Sequence, residues 1–516
     1  MKPAGGKPSP CAIAASTLAL LTAAAGVAAQ SSAPTVVPSL GITLTATDNR
    51  DLSSKRPQSD LVTEISPGIA LASRRGPLQG LLNYSLNGVA YARESSLNTV
   101  YHTLAANGRW SLLEGRAGIE GTASAGRQVV SAFGTQSSDG NLVRGNQAQV
   151  RAYSLSPYVA GLLPGNGSYR GRVSYSDSRS DQVNATGTAG SVGAAGAAGD
   201  TSSLTASVGA GWQRGNLGFG VDASRSIYKT PRTARAHNGG VTGNLSWRPD
   251  VDLQGFLRLG TEVDDIRSGR SERVWTWGLG GVWTPTPRTM IRADYDRRFF
   301  GRSHALMVSH RTARTIWSLA DSRSFQTGGV GGRAIVSAYD LFFAQFATVE
   351  PDPARRDALV RNFLVANGID PRSEVAVGGF LNTGPTVQRS QTASLAYQGL
   401  RTTVMLALVR TQTQQIGSGG GGGDLDLAGR IAQRTISLSL SHHLTPQSSL
   451  IVGLSQQHTP GVRTLDGNDL QTLTATWSTR LGPSTSASLG LRHTRFRSDA
   501  RPYDENALIG SVRMQF

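Results

Sequence analysis

Residues 251–264 read VDLQGFLRLGTEVD. Val251, Leu253, Leu257, Leu259 and Val263 fall on one parity, and Asp252, Gln254, Arg258, Glu262 and Asp264 on the other. Side chains of a strand alternate between its two faces, so this stretch predicts a strand with one apolar and one strongly polar face. The pattern recurs in TISLSLSHHL (435–444), where Ile436, Leu438, Leu440 and Leu444 oppose Ser437, Ser439 and Ser441. It recurs again in MIRADYDR (290–297), with Ile291, Ala293 and Tyr295 against Arg292, Asp294 and Asp296.

Such runs last about 10–14 residues, longer than the strands of soluble sheets and matched to a tilted bilayer crossing. About 22 of them (roughly 20–24) follow one another, with starts near Val36, Leu61, Leu78, Val100, Ala117, Ala148, Gly167, Ser202, Leu217, Gly239, Val251, Ser271, Thr289, Ser303, Thr315, Gln388, Thr402, Gln433, Ser448, Leu470, Ser484 and Asn506, the last running into the terminal ALIGSVRMQF (507–516). Their connections alternate in length. Short turns such as RRGP (74–77), PGNG (164–167), RPD (248–250), TPQS (445–448) and LGPS (481–484) are separated by long polar links at 49–60, 131–147, 180–201, 230–238, 415–429 and 458–469. A sandwich has no reason to alternate its turns, and no repeat of propeller or solenoid length is present. The expected fold is therefore all-β: a transmembrane, antiparallel, up-and-down β-barrel with turns on the periplasmic side and loops outside.

Composition agrees. Hydrophobic residues make up only 38% of the chain, low for packed cores, but natural for a barrel whose lumen is wet. No apolar run after the first thirty residues is long enough for a spanning helix. Residues 1–29 read as a cleaved export signal, with Lys2 and Lys7 before an Ala-rich apolar stretch and Val27-Ala28-Ala29 at the cleavage site. The single cysteine, Cys11, lies inside that segment, so the mature chain, one barrel domain over 30–516, carries no thiol chemistry. A formal charge of +17 suits an anionic partner. With no nucleic-acid-binding spacing in an exported chain, outer-membrane lipid and lipopolysaccharide, or an acidic polysaccharide, are the expected partners and nucleic acid is not.

The inward face of the strands supplies candidate lumen charges: Arg258, Glu262, Arg292, Asp294, Asp296 and Arg298. Their mixed sign fits a paired, hydrated wall or a selectivity filter. Residues 327–386 form a link too long to lack structure. Phe342, Phe343 and Phe346 sit at helical spacing, and PDPARRDALVRNFLVANG has Asp352 as N-cap, Pro353 in the first turn, Phe363 on its apolar stripe and Gly368 as stop. This predicts a helical hairpin in one long extracellular loop. It is either a self-packed surface loop, or a lid or lumen constriction built on the four phenylalanines, or a docking element.

Motifs for catalysis and cofactors are missing: no Walker-type loop, no HExxH, no GxSxG and no zinc spacing. Neighbouring strand residues point opposite ways, so His442 and His443 cannot share a metal. GSGGGGGDLDLAG (417–429), with Asp424 and Asp426, is read as a flexible loop rather than a calcium turn. No enzyme activity, cofactor or metal is expected. In the last strand Leu508, Val512, Met514 and Phe516 form the lipid face, and that strand should pair with the one near Val36 to close the barrel.

Several stretches resemble the PEP-CTERM (exosortase) system-associated outer-membrane protein family: VVPSLGITLTATDNRDL, SDLVTEISPGIAL, DRRFFGRSHALMVSHRTARTIWSLADS and YDLFFAQFATVEPDPARRDALVRNFLVANGI, most specifically at Arg297-Arg298-Phe299-Phe300-Gly301 and Ser309-His310-Arg311-Thr312. The resemblance covers most of the mature chain in order, while TGTAGSVGAAGAAGD (186–200) and the pentaglycine loop fall outside it. It implies an outer-membrane conduit or assembly factor beside exopolysaccharide synthesis and exosortase sorting, with exopolysaccharide or periplasmic export components as partners. Phe516 similarly resembles the terminal signal read by the barrel-assembly machinery.

Overall fold

In the computed structural model of the protein, twenty-two strands run from Thr35–Thr47 to Tyr503–Gln515 in one antiparallel sheet. The structure describes residues 34–327 and 379–516 apart from 74–75, 143–144, 182–199, 231–234, 383, 418–422 and 463–464. Within 328–378 it describes Val336, Ser337, Tyr339, Phe343, Phe346, Arg356, Asp357, Leu359, Val360 and Glu374–Ala376. The expected export signal, Phe342, Phe363 and most of 186–200 and of the pentaglycine run lie outside the described residues.

Each strand pairs with the next, and the first pairs with the last, from Ser39↔Gln515 to Thr47↔Ala507. The Phe516 amide donates to the Pro38 carbonyl at 2.9 Å, while the Phe516 ring stays exposed. Closure gives every strand two neighbours, which removes the exposed edges and satisfies the backbone polar groups that lipid cannot. Both ends of the sheet therefore meet at the short-turn rim.

Exposure is inverted relative to a soluble protein. Ile436, Leu438 and Leu440 are 36–46% exposed, whereas Ser437 and Ser441 on the opposite parity are buried. The apolar parity faces outward, where the membrane stands in for a core. Trp110, Trp247, Trp283, Trp317 and Trp477 are exposed on that outward face, each two or three residues from the short-turn end of its strand. They form the aromatic girdle of a membrane interface.

Every expected strand start falls within three residues of an observed one. The largest offsets are Gly239 against Ala236, Gln433 against Arg430 and Asn506 against Tyr503. All three are extensions at the long-loop rim. There the strand outruns the lipid belt: the outward face turns polar at His237, Arg430 and Asp504 while Ala236, Ile431 and Tyr503 are buried on the inner face, so apolar-outward alternation no longer marks the boundary.

The insertion after Gln326 contains helical residues, as its sequence suggests, and also a two-stranded pair, Val336–Ser337 with Glu374–Ala376, that its sequence did not. Tyr339 and Phe343 are both helical, with their rings stacked at 5.5 Å. Arg356 and Asp357 are helical too, the guanidinium 4.9 Å from the Phe343 ring and the carboxylate accepting from the Tyr339 hydroxyl at 2.5 Å. Phe346 sits in a 3-10 turn, and Val360 is fully buried.

Candidate functional site in the lumen

Sheet register decides what the inner wall can do. Arg258 stands directly across from Gly278, and Gly278 from Asp296, on three successive strands. A Cβ at Gly278 would collide with the Asp296 carboxylate, so glycine is what lets Arg258 and Asp296 meet across the strand between them. The Arg258 Nε donates to Asp296 at 2.8 Å and its Nη2 to Asp294 at 3.0 Å, while Arg292 Nε reaches Asp294 at 2.9 Å. Four of the six charges singled out in the sequence thus form one network of two cations and two anions. The other two form a separate pair nearer the long-loop rim, where Glu262 accepts from Arg298 and from the Phe299 amide at 2.9 Å.

The same three-strand arrangement occurs a second time. Arg170 faces Gly209, Gly209 faces Asp222, and Arg170 Nη2 lies 2.9 Å from Asp222. These bridges are partly or largely exposed, so each adds less than about 1 kcal/mol. Their effect is electrostatic: the wall is densely polar but carries almost no net charge, which favours water and uncharged hydrophilic solutes over either ion.

At the long-loop rim the chain closes over the lumen. Residues 130–142, after the strand Ala117–Val129, run across the mouth and bond to strands far from their own; the strand Gln147–Leu163 follows. Arg492 Nη1 is 3.0 Å from Asp139 and its Nη2 is 2.8 Å from Glu505, which also accepts from Thr47. Arg492, Glu505 and Thr494 are all buried, and Ser138 bonds Thr494 at 3.2 Å. The Tyr503 hydroxyl donates to the Gln136 carbonyl, and the Tyr91 hydroxyl to that of Asn141. Asn141 Nδ2 donates to Glu64 at 2.7 Å. Leu142 completes an apolar cluster with Leu52, Val62, Val89, Tyr91, Phe496 and Tyr503.

The other end of the segment is held by a five-residue helix, Asp424–Ala428, where the sequence suggested a flexible loop. Asp424 accepts from the Ser131 hydroxyl at 2.9 Å and the Ala132 amide at 2.7 Å. Burial pushes its carboxyl above the ordinary aspartate range, against these donors. Ala132 packs with Leu425, Ala428 and Ile431, and its carbonyl accepts from Asn468 at 2.9 Å. Asn146 fastens the base of the segment through the Ser131 amide at 2.8 Å and the Thr135 carbonyl at 3.0 Å.

A third feature is the inner wall of the strands Thr402–Gln415 and Arg430–His443. Thr403, Met405, Ala407, Val409 and Thr411 are buried, as are Ile431, Gln433, Thr435, Ser437 and Ser441. Glu374–Ala376 packs against both strands, and the Gly379 amide donates to Gln433 at 2.9 Å. Two residues on, the Leu381 amide donates to the Val129 carbonyl at 2.8 Å, and Leu381 packs with Val130, Ala148 and Val150. The end of the insertion therefore ties together walls that are far apart in strand order.

No family model and no curated protein matches the chain. Among solved structures it is similar to the siderophore receptor PirA from Pseudomonas aeruginosa, at 11% identity and a TM-score of 0.44 over 94% of this chain and 81% of that one. The FrpB iron transporter from Neisseria meningitidis gives 10% identity and 0.46 over 93% and 82%. The outer membrane protein OpdK from Pseudomonas aeruginosa gives 10% and 0.34 over 93% and 99%.

The remaining sequence candidates are accounted for locally. His442 lies on the outward face opposite Thr402 and bonds its hydroxyl at 2.8 Å, while His443 falls on the inner parity. Asp426 accepts from Gln415 at 2.9 Å. No group of three metal-ligating side chains occurs among the described residues. The residues that close the mouth, above all Asp139, Asn141, Arg492 and Glu505, were missed in the sequence. The available signal was a buried-parity Arg and Glu near the end of the last hairpin, whose partners lie in a loop hundreds of residues away.

Proposed function

We propose that this chain is an outer-membrane conduit held shut at its long-loop mouth by residues 130–142. The observation that carries this reading is the contrast within one lumen. A hydrated, charge-balanced wall is of no use to a sealed anchor, and the segment that blocks it is attached by side-chain contacts that can be released. A closed barrel with an outward apolar belt, an aromatic girdle and a net positive charge suits the Gram-negative outer membrane. There the barrel-assembly machinery would take up the terminal Phe516, and lipopolysaccharide would surround the belt. For cargo, the resemblance to PEP-CTERM system-associated proteins supports exopolysaccharide or sorted surface proteins, delivered by periplasmic export components. A nearly neutral, hydroxyl-rich lumen is compatible with a sugar polymer.

The test is conductance in planar bilayers of the refolded chain and of a variant with residues 133–142 replaced by a short Gly-Ser link. The wild type should open rarely, and the variant should show long-lived discrete conductance. Silence in both would end the conduit reading. It would leave the second one, a sealed barrel anchoring envelope partners, which the packed wall of Thr402–His443 favours.

A further inference from the structure

The outward face carries arginines where lipid should be. Arg297, Arg302, Arg323, Arg389, Arg410 and Arg434 come one each from six consecutive strands of the sheet. All share the parity of exposed apolar residues, such as Tyr295, Leu306, Leu319, Leu408 and Ile436. They also share a height. Arg297 is eight residues from Thr289, Arg410 eight from Thr402, Arg302 nine from Arg311 and Arg434 nine from His443. That puts the arc about 20 Å from the short-turn rim for tilted strands.

Register makes the arrangement unfavourable on its own. Arg297 stands directly opposite Arg302, Arg323 opposite Arg389, and Arg410 opposite Arg434. Like charges facing each other across a strand pair repel. Among the described residues one acidic side chain relieves the arc: Asp321 accepts from Arg389 Nε at 3.0 Å and from Gln391, with His304 at 3.1 Å. Arg297, Arg302, Arg410 and Arg434 have no carboxylate within ion-pair distance among the described residues. The apolar belt is also shorter here. On Thr402–Gln415 only Val404, Leu406 and Leu408 precede Arg410, whereas on Glu272–Thr286 the outward Trp275, Trp277, Leu279, Gly281 and Trp283 all lie below Arg273.

We propose that this arc is a binding site for the phosphorylated headgroup of an outer-leaflet glycolipid. Guanidinium groups pair bidentately with phosphate, and an anion between two facing arginines turns repulsion into attraction. Several phosphates on one headgroup match several arginines at one height. The short belt brings the headgroup plane down to them, by local thinning of the bilayer. This site is independent of whether the barrel conducts.

The test compares the full refolded chain with the Arg297→Gln/Arg302→Gln/Arg410→Gln/Arg434→Gln variant and with Arg410→Gln/Arg434→Gln alone. Each is titrated in detergent with bis-phosphorylated lipid A, with the same glycolipid stripped of phosphate, and with inorganic phosphate. Retained lipid is read by native mass spectrometry and stability by melting temperature. The wild type should bind the bis-phosphorylated form at least tenfold more tightly than the stripped form and melt higher with it. The double variant should lose part of that preference and the quadruple variant all of it. Without glycolipid, the double variant should melt at or above the wild-type temperature, because a facing like-charge pair has gone. Equal binding of both glycolipids, full stabilisation by inorganic phosphate alone, a protein dimer occupying the face, or lipid-free destabilisation of the double variant would each overturn the proposal.

Discussion

Two stretches of inner wall, built from the same alternating pattern, end in opposite states. Between Leu253 and Arg298 the inward parity holds Arg258, Glu262, Asp264, Glu272, Arg292, Asp294, Asp296 and Arg298, and the network around Arg258 is partly open to water. Between Thr402 and Ser441 the inward parity is Thr, Met, Ala, Val, Ile, Gln and Ser without one acidic or basic residue, and it is almost wholly buried. Burying an unpaired charge is prohibitive, whereas burying a hydroxyl that finds a partner is not. The returning end of the insertion, at Glu374–Ala376 and Gly379, therefore rests on the uncharged wall, and the network around Arg258 is left to water. Polarity alone did not separate the two; formal charge did.

Four experiments can break or sharpen this contrast. Arg492→Leu removes the cation between Asp139 and Glu505 and leaves two carboxylates buried. Urea unfolding in micelles should show a loss of about 3–5 kcal/mol, together with more frequent channel opening. Ala407→Leu overfills the uncharged wall, where Ala407 is completely buried, and should cost about 1–3 kcal/mol. A loss near zero would mean that this wall is wet after all.

Gly278→Ala places a methyl group against the Asp296 carboxylate and should lower stability by about 1 kcal/mol. Its clearer readout is selectivity: with Arg258 unseated, a barrel opened by shortening 133–142 should shift its cation-to-anion preference. The smallest expected effect is on pH. Because burial raises the Asp424 carboxyl, the folded mouth binds its proton more tightly than the unfolded chain does. The attachment of Ser131 and Ala132 should strengthen as pH falls from neutral through that raised value, and level off below the ordinary aspartate value. Opening frequency should fall over the same interval, and Asp424→Asn should abolish the dependence.

The strands were legible because each must keep one parity apolar along its whole lipid crossing, as in Ile436, Leu438 and Leu440. Part of the register was legible too. The short turn after Arg214 sets Arg214 opposite Leu217 and hence Gly209 opposite Asp222. Arg170 joins them across a long link whose length does not fix an offset, so the Arg–Gly–Asp bridge as a whole was out of reach. The closing segment was hidden for a different reason. Residues 131–147 are as polar as any exposed loop, and nothing local distinguishes a hydroxyl meant for water from one meant for Asp424.

The seam between Ser39–Thr47 and Ala507–Gln515 has a kinetic consequence. Its nine register pairs join the two ends of the chain, the most non-local contacts this sheet can make. Bringing ends so distant together costs about 5 kcal/mol of chain entropy before any of those pairs forms. Helix-rich proteins are repaid as they go, whereas this barrel is repaid only at the end. A nascent chain lacking its last strand would present two open edges and no tendency to circularise, so the final strand acts as the commitment step of folding.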